Sequence, residues 1–309
     1  MKILFYCQWP DKKAWLKYLK LKFKKHKIYT VEDKFNYEDI EIAIIWKLPN
    51  TIYSNLINLK IVFSLGAGVD HILSLKSYNN TPIVRIKDVN MAKRMSNYAH
   101  SQILNYQLKL NLYNKAQRKK KWLEEQSTPH NNQITIGILG VGYLGKYLGR
   151  YLKRLDYQVI GYKASPVNKK IAFFIYTKRK INNFIKESDI IVSLLPGTKE
   201  TENFIDKKFL KKMKKKSLLI NIGRGSSLNE EDIIEHLTQN KNFYASLDVF
   251  KNEPLKRNHK LWNNPNVIIT PHVAATSDIE SSVDYIYQRF LNFIEKDKFV
   301  SDVNLKKGY

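Results

Sequence analysis

The stretch Ile134-Thr135-Ile136-Gly137-Ile138-Leu139-Gly140-Val141-Gly142-Tyr143-Leu144-Gly145 decides how the chain is read. A β-prone run leads into three glycines spaced GxGxxG, and apolar residues then recur at helical spacing as far as Leu155. Each glycine has a physical task. Gly140 permits the tight turn, Gly142 lets backbone N–H groups approach a pyrophosphate at the helix N-terminus, and Gly145 lets helix and strand pack closely. The glycine spacing alone is a weak signal. Strand, turn and helix in that order predict a dinucleotide-binding element contacted through Gly140, Gly142, Tyr143, Leu144 and Gly145.

Working outward, the same cadence continues on both sides. C-terminal to the glycines, strands are predicted at Gln158–Tyr162, Ile190–Leu195, Ser217–Ile222, Ala245–Asp248 and Val267–Thr270, and a helix capped by Asn229 runs to Gln239. N-terminal to them, strands are predicted at Ile3–Tyr6, Ile42–Trp46, Lys60–Leu65 and Ile83–Ile86, with a helix over Lys12–Phe23. Between the two sets, Met91–Trp122 contains neither Pro nor Gly and predicts one long connecting helix. A last helix, from Ser277 to Glu295, is free to return to the first set. Strands alternating with helices mean parallel sheets covered on both faces. The 309 residues divide naturally into two domains of the usual ~100–200 residues. Ile171–Tyr176 is more apolar than a surface connection requires, and no functional reading accounts for it.

Lys163 follows the second strand of the nucleotide unit, 18 residues past Gly145. An acid near this point would hold the ribose 2′-hydroxyl of NAD. None stands there, and an ammonium group can instead pair with a 2′-phosphate, which favours NADPH while leaving NADH possible. The other reading of Lys163 is a plain surface lysine. Three further polar residues lie at or just beyond strand ends: Arg224 in Asn221-Ile222-Gly223-Arg224-Gly225, Glu253 in Asp248-Val249-Phe250-Lys251-Asn252-Glu253-Pro254, and His272 in Thr270-Pro271-His272. Ligand crevices of open α/β sheets lie at those carboxyl ends. Together the three suit reduction of a 2-oxo acid. Arg224 can fork a carboxylate and polarise the adjacent keto oxygen. The alkoxide left by hydride addition needs a proton, which an imidazolium at position 272 can supply. Because free histidine titrates near ~6.5, a neighbouring carboxylate such as Glu253 is needed to keep it charged at neutral pH.

Composition narrows the function classes. With 43% apolar and 12% aromatic residues, the chain can bury real cores. The lone Cys7 excludes an internal disulfide framework and a cysteine-based zinc cluster, no metal site is expected, and a reducing cytoplasmic setting is. No apolar run approaches the ~18 residues of a membrane span, and the N-terminal run lacks a signal-peptide cleavage site, so no membrane partner is expected. The net charge of +25 invites a nucleic-acid reading. Yet the 44 lysines outnumber 9 arginines, and the excess of Lys, Asn, Ile, Tyr and Phe follows AT-rich codons. With no recognition motif present, no nucleic-acid partner is expected, and compositional drift explains most of the charge.

The ordered motifs, namely GxGxxG, Leu195-Pro196 with Thr198 and Thr201, Asn221–Gly225, Asp248–Phe250 with Glu253-Pro254, and Thr270-Pro271-His272, resemble the D-isomer-specific 2-hydroxyacid dehydrogenase family. Ser64-Leu65-Gly66-Ala67-Gly68-Val69-Asp70 and the ending Lys307-Gly308-Tyr309 extend the resemblance over essentially the whole chain, with the glyoxylate/hydroxypyruvate reductase A branch as the nearest match. The resemblance implies a catalytic set of Arg224, Glu253 and His272, and substrate-carboxylate binding by amides at Gly66, Ala67 and Gly68 together with Arg224. It implies that Asp248 holds the nicotinamide carboxamide, that Leu195, Pro196, Thr201 and Ile222 line the cofactor, and that Trp46 faces the substrate, a core role for Trp46 being as compatible with its sequence. It further implies a flavodoxin-like substrate domain from residues 1–93 and 275–309, a Rossmann cofactor domain from 94–274, and a homodimer. The implied reaction reduces glyoxylate to glycolate and hydroxypyruvate to D-glycerate. A different D-2-hydroxy acid, or a non-catalytic nucleotide-sensing scaffold on the same fold, is the alternative. Relatives of this branch often carry arginine where Ala164 stands, which leaves Lys163 as the nearby charge.

Overall fold

A computed structural model describes residues 1–124, 126–165, 171–296, 300–305 and 307–309. The chain forms two compact units, residues 1–91 with 277–309, and residues 92–276.

In the first unit, β1 (Lys2–Tyr6), β2 (Lys27–Tyr29), β3 (Ile42–Ile45), β4 (Ile61–Ser64) and β5 (Ile83–Arg85) form a parallel sheet of order β2-β1-β3-β4-β5, which is the flavodoxin-like arrangement. Every residue of β3 and β4 is buried, as expected where helices cover both faces of a parallel sheet. The helix Lys12–Lys22 buries Trp15 and Leu19, and the helix Ile279–Lys296 buries Val283, Ile286, Phe290 and Phe293. Phe290 lies 5.0 Å from the ring of Phe23, so the end of the chain completes the core begun at its start. The strand β2 escapes prediction because it is a three-residue edge, exposed at Lys27 and only half-buried beyond it.

In the second unit, β6 (Thr135–Leu139), β7 (Gln158–Tyr162), β8 (Phe174–Tyr176), β9 (Ile190–Ser193), β10 (Ser217–Asn221), β11 (Phe243–Leu247) and β12 (Val267–Ile269) form a parallel sheet. Its order is β12-β11-β10-β9-β6-β7-β8. The first six strands follow the dinucleotide-binding order, and β12 extends the sheet by one. Strand order reverses between β6 and β9, which pair from Ile136↔Ile190 to Leu139↔Ser193 and so bring Gly140 beside the Leu194-Leu195 turn. That reversal places the crevice beyond their carboxyl ends.

Two expectations are corrected here. The single helix over Met91–Trp122 is two, Val89–Gln107 and Leu110–Arg118, broken at Lys109 in the left-handed region with φ 54°. The break is tied down from outside: Gln107 Nε2 donates to the Pro129 carbonyl, and Lys109 Nζ to the Ser127 carbonyl. Periodicity cannot register a break held by a distant loop. Trp122 lies beyond both helices and is exposed. The apolar stretch Ile171–Tyr176 holds the edge strand β8, and its Phe173 ring fills the space left by two glycines. A Cβ on Gly149 would sit 2.2 Å from that ring, and one on Gly161 2.9 Å from it. Its hydrophobicity is therefore packing rather than function.

Among the described residues, no helix is long and apolar enough to cross a membrane. Exposed pairs such as Lys2–Asp39, Lys12–Glu32 and Lys207–Glu235 engage some of the lysines, and solvent screening keeps the contribution of such pairs small.

Candidate active site

The loop after β6 takes the form the glycines require. Gly140 has φ +106°, and a Cβ there would lie 2.9 Å from the Leu194 carbonyl oxygen, so the turn passes against the loop after β9. Gly145 would place a Cβ 2.3 Å from the Gly140 carbonyl oxygen, which makes it the close contact of helix on turn. Gly142 caps the helix Tyr143–Lys153, and a Cβ there would meet nothing within 4 Å. A turn, a close contact and an open approach at a helix N-terminus are the three conditions for seating a pyrophosphate, so these residues fit a dinucleotide. Tyr143 is exposed and Leu144 is half-buried against the core. Lys163 is the first residue beyond β7 and half-buried, its N–H donating to the Tyr176 carbonyl of β8 at 3.0 Å.

Other predicted cofactor residues shape the site from behind. Ile222 is buried in the core at 4% exposure. Leu195 is likewise buried. The Thr201 hydroxyl donates to the Pro196 carbonyl and accepts from the Thr198 N–H at 3.0 Å, which makes it a fastener of the loop. Asp248 is 1% exposed, and its carboxylate accepts from the Thr270 hydroxyl and from the N–H groups of Val273 and Ala274.

Arg224 sits at the end of β10 between two glycines that allow backbones to touch. A Cβ on Gly223 would lie 2.7 Å from the Leu195 N and O, and one on Gly225 1.9 Å from the Phe250 carbonyl carbon. Asn221 Nδ2 donates to the Arg224 carbonyl, and Arg224 Nη1 to the Gly223 carbonyl. Glu253 is fixed by its Oε1, which accepts from the Phe250 N–H at 3.1 Å, while Oε2 lies 2.9 Å from His272 Nδ1. Because an ionised carboxylate only accepts, Nδ1 carries a hydrogen and Nε2 is left as the nitrogen that can hand over a proton. His272 itself has φ 55°, a left-handed conformation that needs support from its surroundings. Of the three predicted catalytic residues, the structure thus joins Glu253 to His272 directly and mounts Arg224 against the loop that carries Glu253.

In the first unit, Trp46 is half-buried. Its ring lies 4.4 Å from that of His71 and 5.1 Å from that of Trp9, and would meet a Cβ on Gly66 at 2.5 Å. The Gly66 amide donates to Ser64 Oγ at 3.3 Å, and Ala67 and Gly68 are half-exposed. The Lys47 N–H donates to His71 Nδ1, which forces the proton onto Nε2 and its donation to Ser64 Oγ; Ser64 in turn donates to the Gly68 carbonyl. Sequence reading missed His71 as the brace of this loop, as it missed Tyr98 and Thr270 behind His272. Their one signal was adjacency to motifs.

A glycine turn at the reversal of a Rossmann sheet, with a histidine–carboxylate pair and an arginine at neighbouring strand ends, defines a dinucleotide-dependent oxidoreductase. The family model for the D-isomer specific 2-hydroxyacid dehydrogenase NAD binding domain matches residues 100–274. The chain belongs to this family. Among its relatives, glyoxylate/hydroxypyruvate reductase A of Yersinia enterocolitica serotype O:8 is 29% identical over the full length of both chains. The protein of the same name from Serratia proteamaculans is 31% identical over 94% of each. The crystal structure of an NADPH-dependent glyoxylate/hydroxypyruvate reductase from Sinorhizobium meliloti, in complex with NADP and sulfate, is 30% identical. It aligns at a TM-score of 0.92 over 100% of this chain and 99% of that one. A family member from Xanthobacter autotrophicus Py2, in complex with NADPH and MES, aligns at 0.92 with 26% identity.

Proposed function

We propose that the protein reduces small 2-oxo acids with NADPH, converting glyoxylate to glycolate and hydroxypyruvate to D-glycerate. The observation that carries this reading is the Glu253–His272 pair at 2.9 Å, a proton donor held in one tautomer by a carboxylate that is itself anchored. Similarity to the reductases named above supports the substrate class and the choice of NADPH. The second unit is the cofactor domain in this reading, with Gly140, Gly142 and Gly145 as its pyrophosphate seat and Lys163 at the ribose phosphate. Residues 1–91 and 277–309 form the substrate domain, whose Trp46, Ala67 and Gly68 contribute contacts.

When bound, the dinucleotide supplies the hydride to the keto carbon. Arg224 holds the carboxylate through its guanidinium fork and draws electron density from the keto oxygen. His272 holds a proton at Nε2 and delivers it to that oxygen as negative charge develops there. Glu253 accepts from Nδ1 and keeps the imidazole oriented, so that Nε2 is the nitrogen that releases the proton and takes up the next one.

Loss of 340-nm absorbance is the test, with NADPH and separately NADH against glyoxylate, hydroxypyruvate, pyruvate and a bulky 2-oxo acid. Turnover with the two small acids and NADPH is expected. Silence with all four refutes the reductase reading, and a preference for the bulky acid redirects it to another D-2-hydroxy acid.

The cofactor preference has its own check. Lys163→Asp removes a charge-assisted contact and adds a repulsive one, so the ratio of kcat/KM for NADPH over NADH falls about 10–100-fold. An unchanged ratio makes Lys163 a bystander.

A further inference from the structure

Asp248 begins the turn after β11, and every polar atom of it that the structure pairs is directed at the strand ends around it. Its N–H donates to the Asn221 carbonyl at 3.0 Å, and its own carbonyl accepts the His272 N–H at 2.8 Å. Its Oδ1 accepts from the Thr270 hydroxyl at 2.6 Å and the Val273 N–H at 2.9 Å, and Oδ2 accepts from the Ala274 N–H at 3.0 Å. The direction of the next bond follows. Thr270 has one hydroxyl proton and gives it to Asp248, so the Tyr98 hydroxyl, 2.6 Å from Thr270 Oγ1, must be the donor to Thr270. Burial, with the Asp248 charge adding to it, pushes the Tyr98 phenol above its ordinary value and keeps that proton in place.

These bonds bracket a residue whose backbone needs support. A non-glycine residue in the left-handed region costs on the order of 1–3 kcal/mol and persists only where its surroundings over-determine it. His272, at φ 55°, is held by its own N–H on Asp248 and Thr270 carbonyls, and by the two following N–H groups on the Asp248 carboxylate.

We propose that Tyr98, Thr270 and Asp248 form a positioning relay that clamps the His272 backbone and so aims its imidazole at Glu253 and the substrate. The proposal rests on the reading of His272 as proton donor. It gives the Asp248 carboxylate a duty to the chain's own loop, and it makes Tyr98, 172 residues before Thr270 and on the helix Val89–Gln107, part of the catalytic geometry without touching substrate.

The test compares wild type with Thr270→Val, Thr270→Ser and Tyr98→Phe, using the 2-oxo acid that wild type turns over best. Thr270→Val keeps the shape but takes away the Tyr98 hydroxyl's short acceptor, leaving it only Ser246 Oγ at 3.4 Å, and leaves Asp248 one donor short. We expect kcat to fall about 10–100-fold, with KM for the 2-oxo acid and NADPH affinity, read by nucleotide fluorescence, within about twofold. Thr270→Ser restores kcat to within about threefold, and Tyr98→Phe, which loses only the outer bond, falls between the two. Hydrogen exchange at the Val273 and Ala274 amides rises about tenfold or more in Thr270→Val and not in Thr270→Ser. Wild-type kcat in Thr270→Val overturns the relay. So does a loss of kcat matched by an equal loss of NADPH affinity and not rescued by serine, because that pattern belongs to general structural damage. Should wild type turn over no 2-oxo acid, the functional reading fails. The clamp is then decided by exchange alone, and unaltered rates at Val273 and Ala274 overturn it as well.

Discussion

Replacing His272 by asparagine is expected to lower kcat about 100- to 10,000-fold, the range for loss of a general acid, while NADPH affinity stays within about twofold. Asparagine is the informative choice because of the backbone. At φ 55° most side chains add strain, but asparagine enters the left-handed region readily, so the variant removes the proton donor without unseating the loop. The bonds that hold this loop come from the backbone of residues 272–274 and from Thr270, none of which the substitution touches. Rapid-mixing kinetics with NADPH and glyoxylate, beside a fluorescence titration of NADPH, separates chemistry from binding. A large loss of cofactor affinity would mean that His272 is structural. Retention of most of kcat would move the proton donor elsewhere.

Gly225→Ala is expected to damage the site from the other direction. The added methyl would lie 1.9 Å from the Phe250 carbonyl carbon, 2.1 Å from its oxygen and 2.5 Å from the Lys251 nitrogen. All three are backbone atoms, so no side chain can swing aside. Either the Arg224 turn or the Phe250 turn must move, and both hold residues of the proposed mechanism: Gly225 adjoins Arg224, and the Phe250 N–H anchors Glu253. Overpacking of this kind costs about 1–3 kcal/mol, occasionally more. For a unit of this size that lowers the thermal midpoint by about 2–4 °C per kcal/mol. The kinetic effect is larger than the thermal one, since a misplacement of about 1 Å in a catalytic group can cost 100-fold in rate. Differential scanning calorimetry and kcat/KM on the same preparation check both effects. A variant with wild-type kcat/KM would show that the two turns are not coupled to catalysis.

Much of this site is legible in the sequence. The glycine run, the strand cadence and the polar residues at strand ends each follow from local rules: periodicity for strands and helices, freedom of φ for Gly140, and absence of Cβ for Gly142 and Gly145. What escaped was non-local. Lys109 breaks a helix because residues 127–131 bind the turn, and nothing within the helix announces it. The apolar run Ile171–Tyr176 has no local explanation, because its Phe173 ring packs against Gly149 and Gly161, which are distant in sequence. Ile222 and Thr201 belong to recognisable motifs, but the burial of the one and the loop bonds of the other depend on residues brought together by the fold.

The same division runs through the chemistry. By itself the sequence determined the class of fold and the dinucleotide turn and singled out Arg224, Glu253 and His272 as candidates, because each depends on residue type and on spacing along a strand–turn–helix unit. Only the tertiary structure decided which nitrogen of His272 faces Glu253, that Asp248 spends its carboxylate on the His272 loop, and that Tyr98 stands behind Thr270. Hydrogen-bond direction depends on which donors and acceptors meet across the fold, and Tyr98 and Thr270 meet only because a helix and a strand end far apart in the chain are packed together.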